Sequence, residues 1–544
     1  MSEKNLNSII RGEIRNDEVT RSFYDHDYSI FKVKPEAVIF PKNSEDIKQL
    51  VKFVSRSREG GEAISLTARS GGTDMTGGPL TDSLLLVFTK YFNRILEIGK
   101  DFICVEPGVY FRDLEKVLRA KGVFYPSYPA SKDICAIGGM VSNNSGGEKT
   151  LAHGKTQDYV RELKMVLSDG EEHIIRPISE IELQKKIKEK SFEGKLYKGI
   201  ADLIKKNKTL IESARPKVSK NSAGYAIWNV WRNGIFDLNQ LIVGAQGTLG
   251  IVTEAKLGTL PIPKHTRLVV IFLNDLTHLG DLVVEALKYK PDSLESYDDK
   301  TFRLALRFLP GIIRNMKGNA ILLGLSFLPE LGLILTGGLP KMVILAEFVS
   351  DSEEELSSRL NDFKSSMARF SKAVRILRTE KEAEKYWTIR RQSFKLLHEH
   401  MKGKETAPFI DDVIVDPKYL PEFLPKLNAI LDRYKSKLTY TVAGHPGSGN
   451  FHVIPLMDLK NPEVRALIPK ISEEVYSLVL EYQGSITAEH NDGLIRTPYL
   501  EKMYGSDVIK LFERVKRAFD PLDIFNPRKK VGGSLEYSLE HIKS

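Results

Sequence analysis

The chain has 544 residues, of which 42% are hydrophobic and 28% charged, a composition typical of a soluble globular protein. Its 80 basic and 71 acidic side chains give a net charge of +9, but no basic block or aromatic-and-basic motif supports nucleic-acid binding. The two cysteines, Cys104 and Cys135, exclude a disulfide framework and an iron–sulfur cluster held by four thiolates of this chain.

The segment 1–19 is charged throughout and lacks the apolar stretch of a secretory signal, so a cytoplasmic location is predicted. A helix capped by Ser44 is predicted next, with apolar residues at helical spacing up to Val54. Strands are predicted at 62–68, 84–88 and 103–106, and a second helix follows around 114–118. This alternation indicates an α/β or α+β domain that ends near Pro263.

The middle of the chain, roughly 266–455, predicts a second α/β domain inserted before a returning C-terminal piece. Its clearest predicted elements are strands at 267–273 and 341–348 and helices at 283–289 and 353–370. A last helix at 506–519 carries one apolar stripe and stops at Asp520-Pro521.

One apolar stretch, 320–335, is shorter than the ~20 residues of a spanning helix and has Pro329 and Glu330 at its centre. It predicts either a helical hairpin on its own domain or peripheral contact with the inner face of a membrane. The basic neighbours that favour membrane contact are Arg303, Arg307, Arg314 and Lys317.

Three glycine-rich segments follow predicted strands or helices. The first, 69–78, has four glycines in ten residues, which suits either a nest for a phosphate oxyanion or a plain surface turn. The second, 129–147, has too little apolar bulk for a core strand and suits backbone lying against a flat ligand. The third, 244–254, combines glycines with a strand.

These three segments, in this order, resemble the flavin-binding domain of the vanillyl-alcohol oxidase family of FAD-linked oxidoreductases. Motifs further along resemble its D-2-hydroxyacid dehydrogenase branch, and the resemblance runs from Pro41 to about Lys530. It implies an α+β fold with mixed α/β character: a two-part FAD-binding domain and an α/β substrate (cap) domain, with the C-terminal segment packing back on the FAD domain. The implied divisions are an N-terminal extension (1–34), the FAD-binding domain (35–265), the cap domain (266–480) and the C-terminal segment (481–544).

The resemblance also implies the cofactor-binding residues. They are Arg69, Ser70, Gly71, Gly72, Thr73, Asp74, Ser131, Ile137, Gly138, Gly139, Ser142, Asn143, Asn144, Gly146, Gly147, Ile251, Val252, Glu254 and Asn526, the last near the isoalloxazine. Family members that tether flavin covalently use a histidine or cysteine near these loops. The loop 69–78 has neither and Cys135 is interpreted as a buried small residue, so non-covalent FAD is expected.

Two histidines, His445 and His452, bracket a glycine turn, a pattern open to either a structural or a metal-binding role. In the resembled dehydrogenases this motif and a later Glu-His pair hold a divalent metal, which implies His445, His452 and Glu489 as ligands and His490 as the base. Two imidazoles and a carboxylate suit Zn²⁺, with Mn²⁺ or Fe²⁺ as alternatives. Ser448 stands where the family usually has Asp, a departure that removes none of the three ligands and leaves its effect on metal affinity or metal choice open.

A hydroxy acid needs a cation for its carboxylate, and the segment 386–391 resembles the family's W-x-x-R motif. By spacing, Arg390 would grip that carboxylate; a surface position on an amphipathic helix is the alternative and fits Arg391 better. A lysine that some members place before a D-x-x-x-P segment is absent here, where Phe409 to Val413 stand.

The function implied is FAD-dependent oxidation of a D-2-hydroxy acid (lactate, glycolate or 2-hydroxyglutarate type) to the 2-oxo acid. It would combine metal-assisted proton abstraction with hydride transfer to flavin N5. Because the chain has no NAD fingerprint, the expected electron acceptor is a quinone, an electron-transferring flavoprotein or an iron–sulfur partner subunit, with oxygen less favoured. The alternatives are a non-catalytic FAD-binding electron-transfer subunit of a larger oxidase complex and a flavoenzyme like alkyl-glycerone-phosphate synthase.

Overall fold

The computed structural model describes residues 8–307, 338–400 and 403–543. The apolar stretch 320–335 and the interpretations placed on it lie outside these ranges. Within them, every helix falls short of the length and hydropathy that crossing a bilayer requires.

The first sheet combines parallel and antiparallel pairing. Its strands are β1 (Glu13–Arg15), β2 (Ala37–Phe40), β3 (Leu66–Arg69) and β4 (Leu84–Val87). Their order is β1-β2-β4-β3, with β4 parallel to both neighbours. The strands β2 and β4 are apolar and buried throughout, as expected for parallel strands covered on both faces.

The second sheet is antiparallel and lies beside the first. Its strands are β5 (Ile95–Ile98), β6 (Phe102–Val105), β7 (Val160–Val166), β8 (Glu172–Ile175) and β9 (Ile251–Gly258), in the order β5-β6-β9-β7-β8. The side chains of Val166 and Ile251 join the core that the first sheet shares with its covering helix, so the two sheets form one domain.

Nine helices accompany these two sheets. They are α1 (Glu18–Phe23), α2 (Ser44–Glu59), α3 (Phe111–Ala120), α4 (Ile137–Asn143), α5 (Thr150–His153), α6 (Glu180–Lys186), α7 (Phe192–Lys206), α8 (Lys208–Ala214) and α9 (Asn239–Ile242). The predicted cap of α2 is wrong by one residue: the side chain of Asn43, not Ser44, accepts the hydrogen bond from the backbone N–H of Asp46.

In the described part of the middle of the chain, eight strands form a third sheet. Its strands are β10 (His265–Leu273), β11 (Ser293–Asp298), β12 (Met342–Ser350), β13 (Val374–Ile376), β14 (Glu405–Thr406), β15 (Val413–Ile414), β16 (Leu438–His445) and β17 (Asn450–Met457). Their order is β13-β10-β12-β11-β16-β17-β14, and β15 also pairs with β17.

Helices cover both faces of this sheet, because alternate residues of its strands point to opposite sides. Val269, Ile271 and Leu273 of β10 pack on one face, and Leu268 and Val270 pack on the other. The helices of this part are α10 (Leu279–Leu287), α11 (Asp299–Arg307), α12 (Glu353–Met367), α13 (Glu380–His400), α14 (Leu420–Asp432), α15 (Pro462–Arg465) and α16 (Leu467–Glu481).

The end of the described chain returns to the first two sheets. Its helices are α17 (Gly493–Arg496), α18 (Leu500–Tyr504), α19 (Ser506–Phe519) and α20 (Leu535–Glu540). The apolar stripe of α19, from Val508 to Phe519, joins the core under the second sheet, and Ile524 and Phe525 join the core of the first. The α+β class with a returning C-terminal segment is therefore confirmed.

Candidate active site

One cavity of about 1250 Å³ lies between the first two sheets and the third. All three glycine-rich segments contribute to one wall. The opposite wall comes from α13, which brings Arg390 and Arg391, and from β16 and β17, which bring His445 and His452. The predicted flavin and metal residues thus meet in a single space.

The loop 69–78 offers backbone donors to this space. In the described part of the chain, the N–H groups of residues 71–75 have no hydrogen-bond acceptor. The carboxylate of Asp74 closes the loop by accepting from the N–H groups of Thr76 and Gly78 at 3.0 and 2.7 Å. Half-buried, convergent N–H groups at a glycine turn suit a phosphate oxyanion, so the loop fits the diphosphate of FAD.

Arg69 adds positive charge at the start of this loop. Its guanidinium donates to the backbone oxygens of Tyr24 and His26, at 3.3 and 2.8 Å. Since these acceptors are neutral, the charge of Arg69 stays available to an anionic group in the cavity.

The helix α4 faces the cavity at Gly139, where no side chain projects into the space. A Cβ atom added at Gly139 would have only one heavy atom within 4 Å, the Cβ of Ser70 at 3.8 Å. Ser142 and Asn143 continue this face one turn later, and Asn143 donates to Asp74 at 2.8 Å. This open glycine surface fits a flat ring laid against the helix.

Most of the predicted cofactor residues line the cavity. They are Arg69, Ser70, Gly71, Gly72, Thr73, Asp74, Ser131, Gly138, Gly139, Ser142, Asn143, Gly146, Gly147 and Val252. Five others do not line it: Ile137, Asn144, Ile251, Glu254 and Asn526.

The packing explains these five positions. Ile137 and Ile251 are buried in cores, and Glu254 pairs with Lys164 across the second sheet. Asn144 ends α4 in the left-handed conformation (φ 51°). Asn526 is buried and donates to the backbone oxygens of residues 78 and 246, so it holds two glycine segments together.

His445 and His452 lie on neighbouring antiparallel strands joined by the glycine turn, where Gly449 has φ 73°. Their Nε2 atoms are 3.2 Å apart. Each Nδ1 faces a buried carboxylate: that of His445 is 2.5 Å from Glu295 and that of His452 is 3.1 Å from Asp411. A carboxylate on Nδ1 fixes the hydrogen there, which leaves two Nε2 lone pairs pointing at each other. This arrangement is repulsive unless a cation lies between them.

Glu489 completes the donor set. One of its carboxylate oxygens is 3.5 Å from Nε2 of His445, and the other accepts a short hydrogen bond from Lys220. Burial raises the pKa of Glu489, but the charges of Lys220 and His445 outweigh burial and hold the pKa well below its usual range. Two imidazole nitrogens and an ionised carboxylate oxygen fit a divalent metal.

A second grouping also satisfies ligand spacing: single donor atoms of Asp412, His452, Glu489 and His490 lie within 4.8 Å of one another. The carboxylate of Asp412, however, is occupied. Its Oδ2 accepts from the backbone N–H groups of Glu489 and His490, both at 2.7 Å, and its Oδ1 accepts from Asn450. Asp412 therefore positions the Glu489-His490 pair, and its own oxygens are the poorer metal donors.

His490 stacks on His452, with ring centroids 4.9 Å apart and planes 13° apart. Its Nδ1 is 2.6 Å from the second oxygen of Asp411, which leaves Nε2 for the cavity that the ring lines. Burial lowers the pKa of His490, but Asp411 and Asp412 raise it further, to about 9. The imidazole is thus positioned to hold a proton beside the candidate metal ligands.

The two adjacent arginines have different partners. Arg390 is 3.3 Å from Glu295, the carboxylate that also holds His445, so it lies next to the candidate metal centre. Arg391 pairs with Glu148 of the flavin-side wall and covers the ring of Trp387. Ser448 is buried in the turn between β16 and β17 and does not line the cavity.

Sequence reasoning missed four residues: Asp411, Asp412, Glu295 and Lys220. The adjacent acids at 411 and 412, in an otherwise apolar segment, were the one available signal. Buried acids are rare unless paired, so such a pair indicates partners elsewhere in the fold.

Comparison with known proteins agrees with an FAD-binding fold. Residues 35–176 match the FAD binding domain, and residues 262–530 match the C-terminal domain of FAD linked oxidases. A D-2-hydroxyglutarate dehydrogenase of Pseudomonas putida is 30% identical over 96% of this chain and 51% of its own length. The chain therefore spans about half the length of that relative.

Two further proteins resemble the chain along most of their own length. Glycolate oxidase subunit GlcD of Bacillus subtilis is 28% identical over 92% of this chain and 89% of the relative. A 4-ethylphenol oxidase structure from Gulosibacter chungangensis has the same fold, with a TM-score of 0.66 and 18% identity over 96% of this chain and 95% of that one. The chain belongs to the FAD-linked oxidases, and its relatives include proteins named D-2-hydroxyglutarate dehydrogenase, D-lactate dehydrogenase and glycolate oxidase subunit.

Proposed function

We propose that this chain is an FAD-dependent dehydrogenase that oxidises D-2-hydroxy acids of the lactate, glycolate or 2-hydroxyglutarate type to 2-oxo acids. The observation that carries the proposal is the cluster of His445, His452, Glu489 and His490 in the same cavity as the glycine loops. A flavin fold alone accounts for the loops, but this cluster adds two converging imidazoles and a separate base. The names of the relatives support the substrate class.

Each residue of the site has a distinct proposed role. Non-covalently bound FAD supplies two-electron oxidation, and a divalent metal (Zn²⁺, with Mn²⁺ or Fe²⁺ as alternatives) supplies a Lewis acid that lowers the pKa of a hydroxyl group. His445, His452 and Glu489 would hold the metal. Arg390 binds the substrate carboxylate and fixes its orientation. His490 accepts the hydroxyl proton at Nε2, while Asp411 holds its other nitrogen.

His490 can act as a base only when it is neutral. Its pKa of about 9 in the metal-free chain would keep it protonated at neutral pH. A cation held by the adjacent His452 and Glu489 would lower this pKa, because like charges disfavour the imidazolium. The proposed base would therefore act in the metal-loaded protein.

An FAD bound in this cavity would need an electron acceptor outside this chain to be reoxidised. We propose a quinone, an electron-transferring flavoprotein or an iron–sulfur partner subunit. The similarity to a protein named as an oxidase subunit supports a protein partner. A quinone would instead bring the protein to the inner face of a membrane.

Anaerobic mixing of the FAD-loaded protein with a panel of D- and L-2-hydroxy acids tests the function. We expect at least one D-acid to bleach the visible absorbance of the flavin, and metal analysis to find one divalent ion for each chain. His490→Ala should retain FAD but lose the bleaching. If every acid leaves the wild-type flavin oxidised, the dehydrogenase proposal fails and the non-catalytic electron-transfer subunit replaces it.

A further inference from the structure

A short segment, Tyr24–Ile30, lies along the loop 69–78 and forms part of the cavity wall; we call it the strap. The backbone N–H of Tyr28 donates to the oxygen of Asp74 at 2.9 Å, and the N–H of Gly77 donates to the side chain of Asp27 at 3.1 Å. The strap precedes residue 35, where the match to the FAD binding domain begins. The cavity therefore extends beyond the family's matched domain.

A second segment outside the matched ranges, His541–Lys543, runs beside the strap. The backbone N–H of Lys32 donates to the oxygen of His541, and the N–H of Lys543 donates to the oxygen of Ile30, both at 2.8 Å. This pairing brings the side chain of Lys543 to the cavity wall, although residue 543 lies beyond the last matched residue, 530.

The strap anchors two cations of the cavity through backbone oxygens. Arg69 donates to the oxygens of residues 24 and 26, as described above. The ammonium of Lys543 donates to the oxygens of Ser29 at 2.7 Å and Asp27 at 3.4 Å. Among the described residues, neither cation has a carboxylate at ion-pair distance, whereas the buried Lys530 lies 2.8 Å from Asp492.

Arg69 is buried and Lys543 is half-buried. Positive charge removed from water without a carboxylate partner is costly, and an anionic ligand removes that cost. We propose that Lys543 is an anion-binding residue of the flavin cavity that acts with Arg69 on the diphosphate of FAD. The strap, whose backbone oxygens accept from both cations, lies along the loop whose free N–H groups suit the same diphosphate. The proposal rests on flavin binding alone and does not require the oxidation proposed above.

A distal carboxylate on a dicarboxylic substrate shares this chemistry. The negative charge of Glu405 acts on the pKa of Lys543. Glu405 lines the same cavity and belongs to strand β14 of the third sheet. The experiment must therefore separate cofactor binding from substrate binding.

The first arm titrates FAD into the apo-protein and follows flavin fluorescence. Lys543→Ala should raise the Kd for FAD about tenfold or more, the loss expected for a charge-assisted hydrogen bond. Lys543→Arg, which keeps the charge, should stay within about threefold of wild type. Lys32→Ala is the matched control, because Lys32 lies next to the strap, is exposed and pairs with Asp25; it should change the Kd less than twofold, roughly.

The second arm measures KM for a monocarboxylic and a dicarboxylic 2-hydroxy acid in the FAD-saturated variants. The proposal predicts that Lys543→Ala leaves the ratio of the two KM values unchanged. An unchanged Kd for FAD in Lys543→Ala overturns the proposal. If the dicarboxylate KM rises while the Kd stays constant, the lysine serves the substrate instead.

Discussion

At the scale of single residues, Asp411 connects the candidate metal centre to the candidate base. Its two oxygens face different rings, His452 at 3.1 Å and His490 at 2.6 Å, and the two rings stack on each other. Burial raises the pKa of Asp411, but the two imidazoles lower it far more, so the carboxylate stays ionised. One buried acid thus orients a proposed ligand and the proposed base together.

Replacing Asp411 by Asn should weaken metal binding. The amide keeps the shape of the side chain but loses the charge that holds both Nδ1–H groups, so Nε2 of His452 becomes a poorer donor. We expect Zn²⁺ affinity to fall about 10- to 100-fold, measured by competition with a chromophoric chelator. Asp416→Asn is the control, since Asp416 is partly exposed and pairs with Lys418. Equal Zn²⁺ affinity in Asp411→Asn and wild type would contradict this role.

The protonation of His490 gives a second prediction. In the metal-free protein its pKa lies near 9, above the ordinary value of 6.5. A raised folded-state pKa adds stability that is complete below pH 6.5 and is lost as the pH rises through about 9. NMR titration of ¹³C-labelled histidine, assigned with His490→Gln, should show this pKa and its decrease when Zn²⁺ is added. A metal-free value near 6.5 would mean that Asp411 does not hold the ring.

The clustering of the candidate ligands, base and arginine could be predicted from the sequence, but the residues that hold them in place could not. His445, His452, Glu489, His490 and Arg390 belong to motifs with characteristic spacing, and the structure brings all five to one cavity. Lys220, in contrast, lies 269 residues before its partner Glu489. A contact between such distant positions leaves no local pattern, so only the fold reveals it.

At the scale of elements, the short helix α4 determines whether a flat ring can enter. Gly139→Val should leave the protein folded, because the space beside this Cβ is open to within 3.8 Å of Ser70. The added side chain would occupy the cavity, so we expect FAD affinity to fall about tenfold or more. The measurement is FAD retention after desalting, compared with the thermal unfolding midpoint.

Gly199→Val is the matched control for this substitution. Gly199 also lies within a helix, α7, and has no heavy atom within 4 Å of an added Cβ. The two substitutions change helix propensity by a similar small amount and in the same direction, since Val is a slightly better helix former than Gly. Equal FAD retention in the two variants would show that α4 does not face the flavin.

Strand alternation explains why one element was only partly predictable. Successive side chains of β9 point to opposite faces, so Ile251 enters the core while Val252 lines the cavity. The resemblance assigned both residues to the dinucleotide. The alternation of side chains along a strand predicts instead that only one of two successive residues faces it. Which face of the strand meets the cavity, however, depends on the neighbouring sheet and cannot be predicted from the sequence of the strand alone.

At the scale of the whole molecule, two adjacent residues on the flavin side pair with the third sheet and its helices. Glu148 binds Arg391 of α13 through two hydrogen bonds, and Lys149 makes a short contact with Glu347 of β12. The charges alternate, so each domain contributes one acid and one base. The Glu148–Arg391 pair borders the cavity, and both pairs join the flavin side to the third sheet and its helices.

Reversing one of these pairs tests that arrangement. Arg391→Glu places two acids together and should lower the urea midpoint followed by tryptophan fluorescence, to which Trp387, whose ring Arg391 covers, contributes. Glu148→Arg should do the same, and the double variant should recover most of the loss, because the swapped pair restores the attraction. If the urea midpoint of the double variant falls by the sum of the two single decreases, the pair does not join the domains.

The pH dependence of the same pair supplies an independent check. Burial raises the pKa of Glu148, but the charge of Arg391 outweighs it and lowers the pKa to about 2. A depressed folded-state pKa adds stability that is present above the ordinary value of 4.5 and is lost as the pH falls through about 2. The difference in urea midpoint between wild type and Glu148→Gln should therefore be full at neutral pH and shrink on acidification below pH 4.5. A difference that stayed constant over this range would show that the Glu148 charge contributes nothing to joining the two walls.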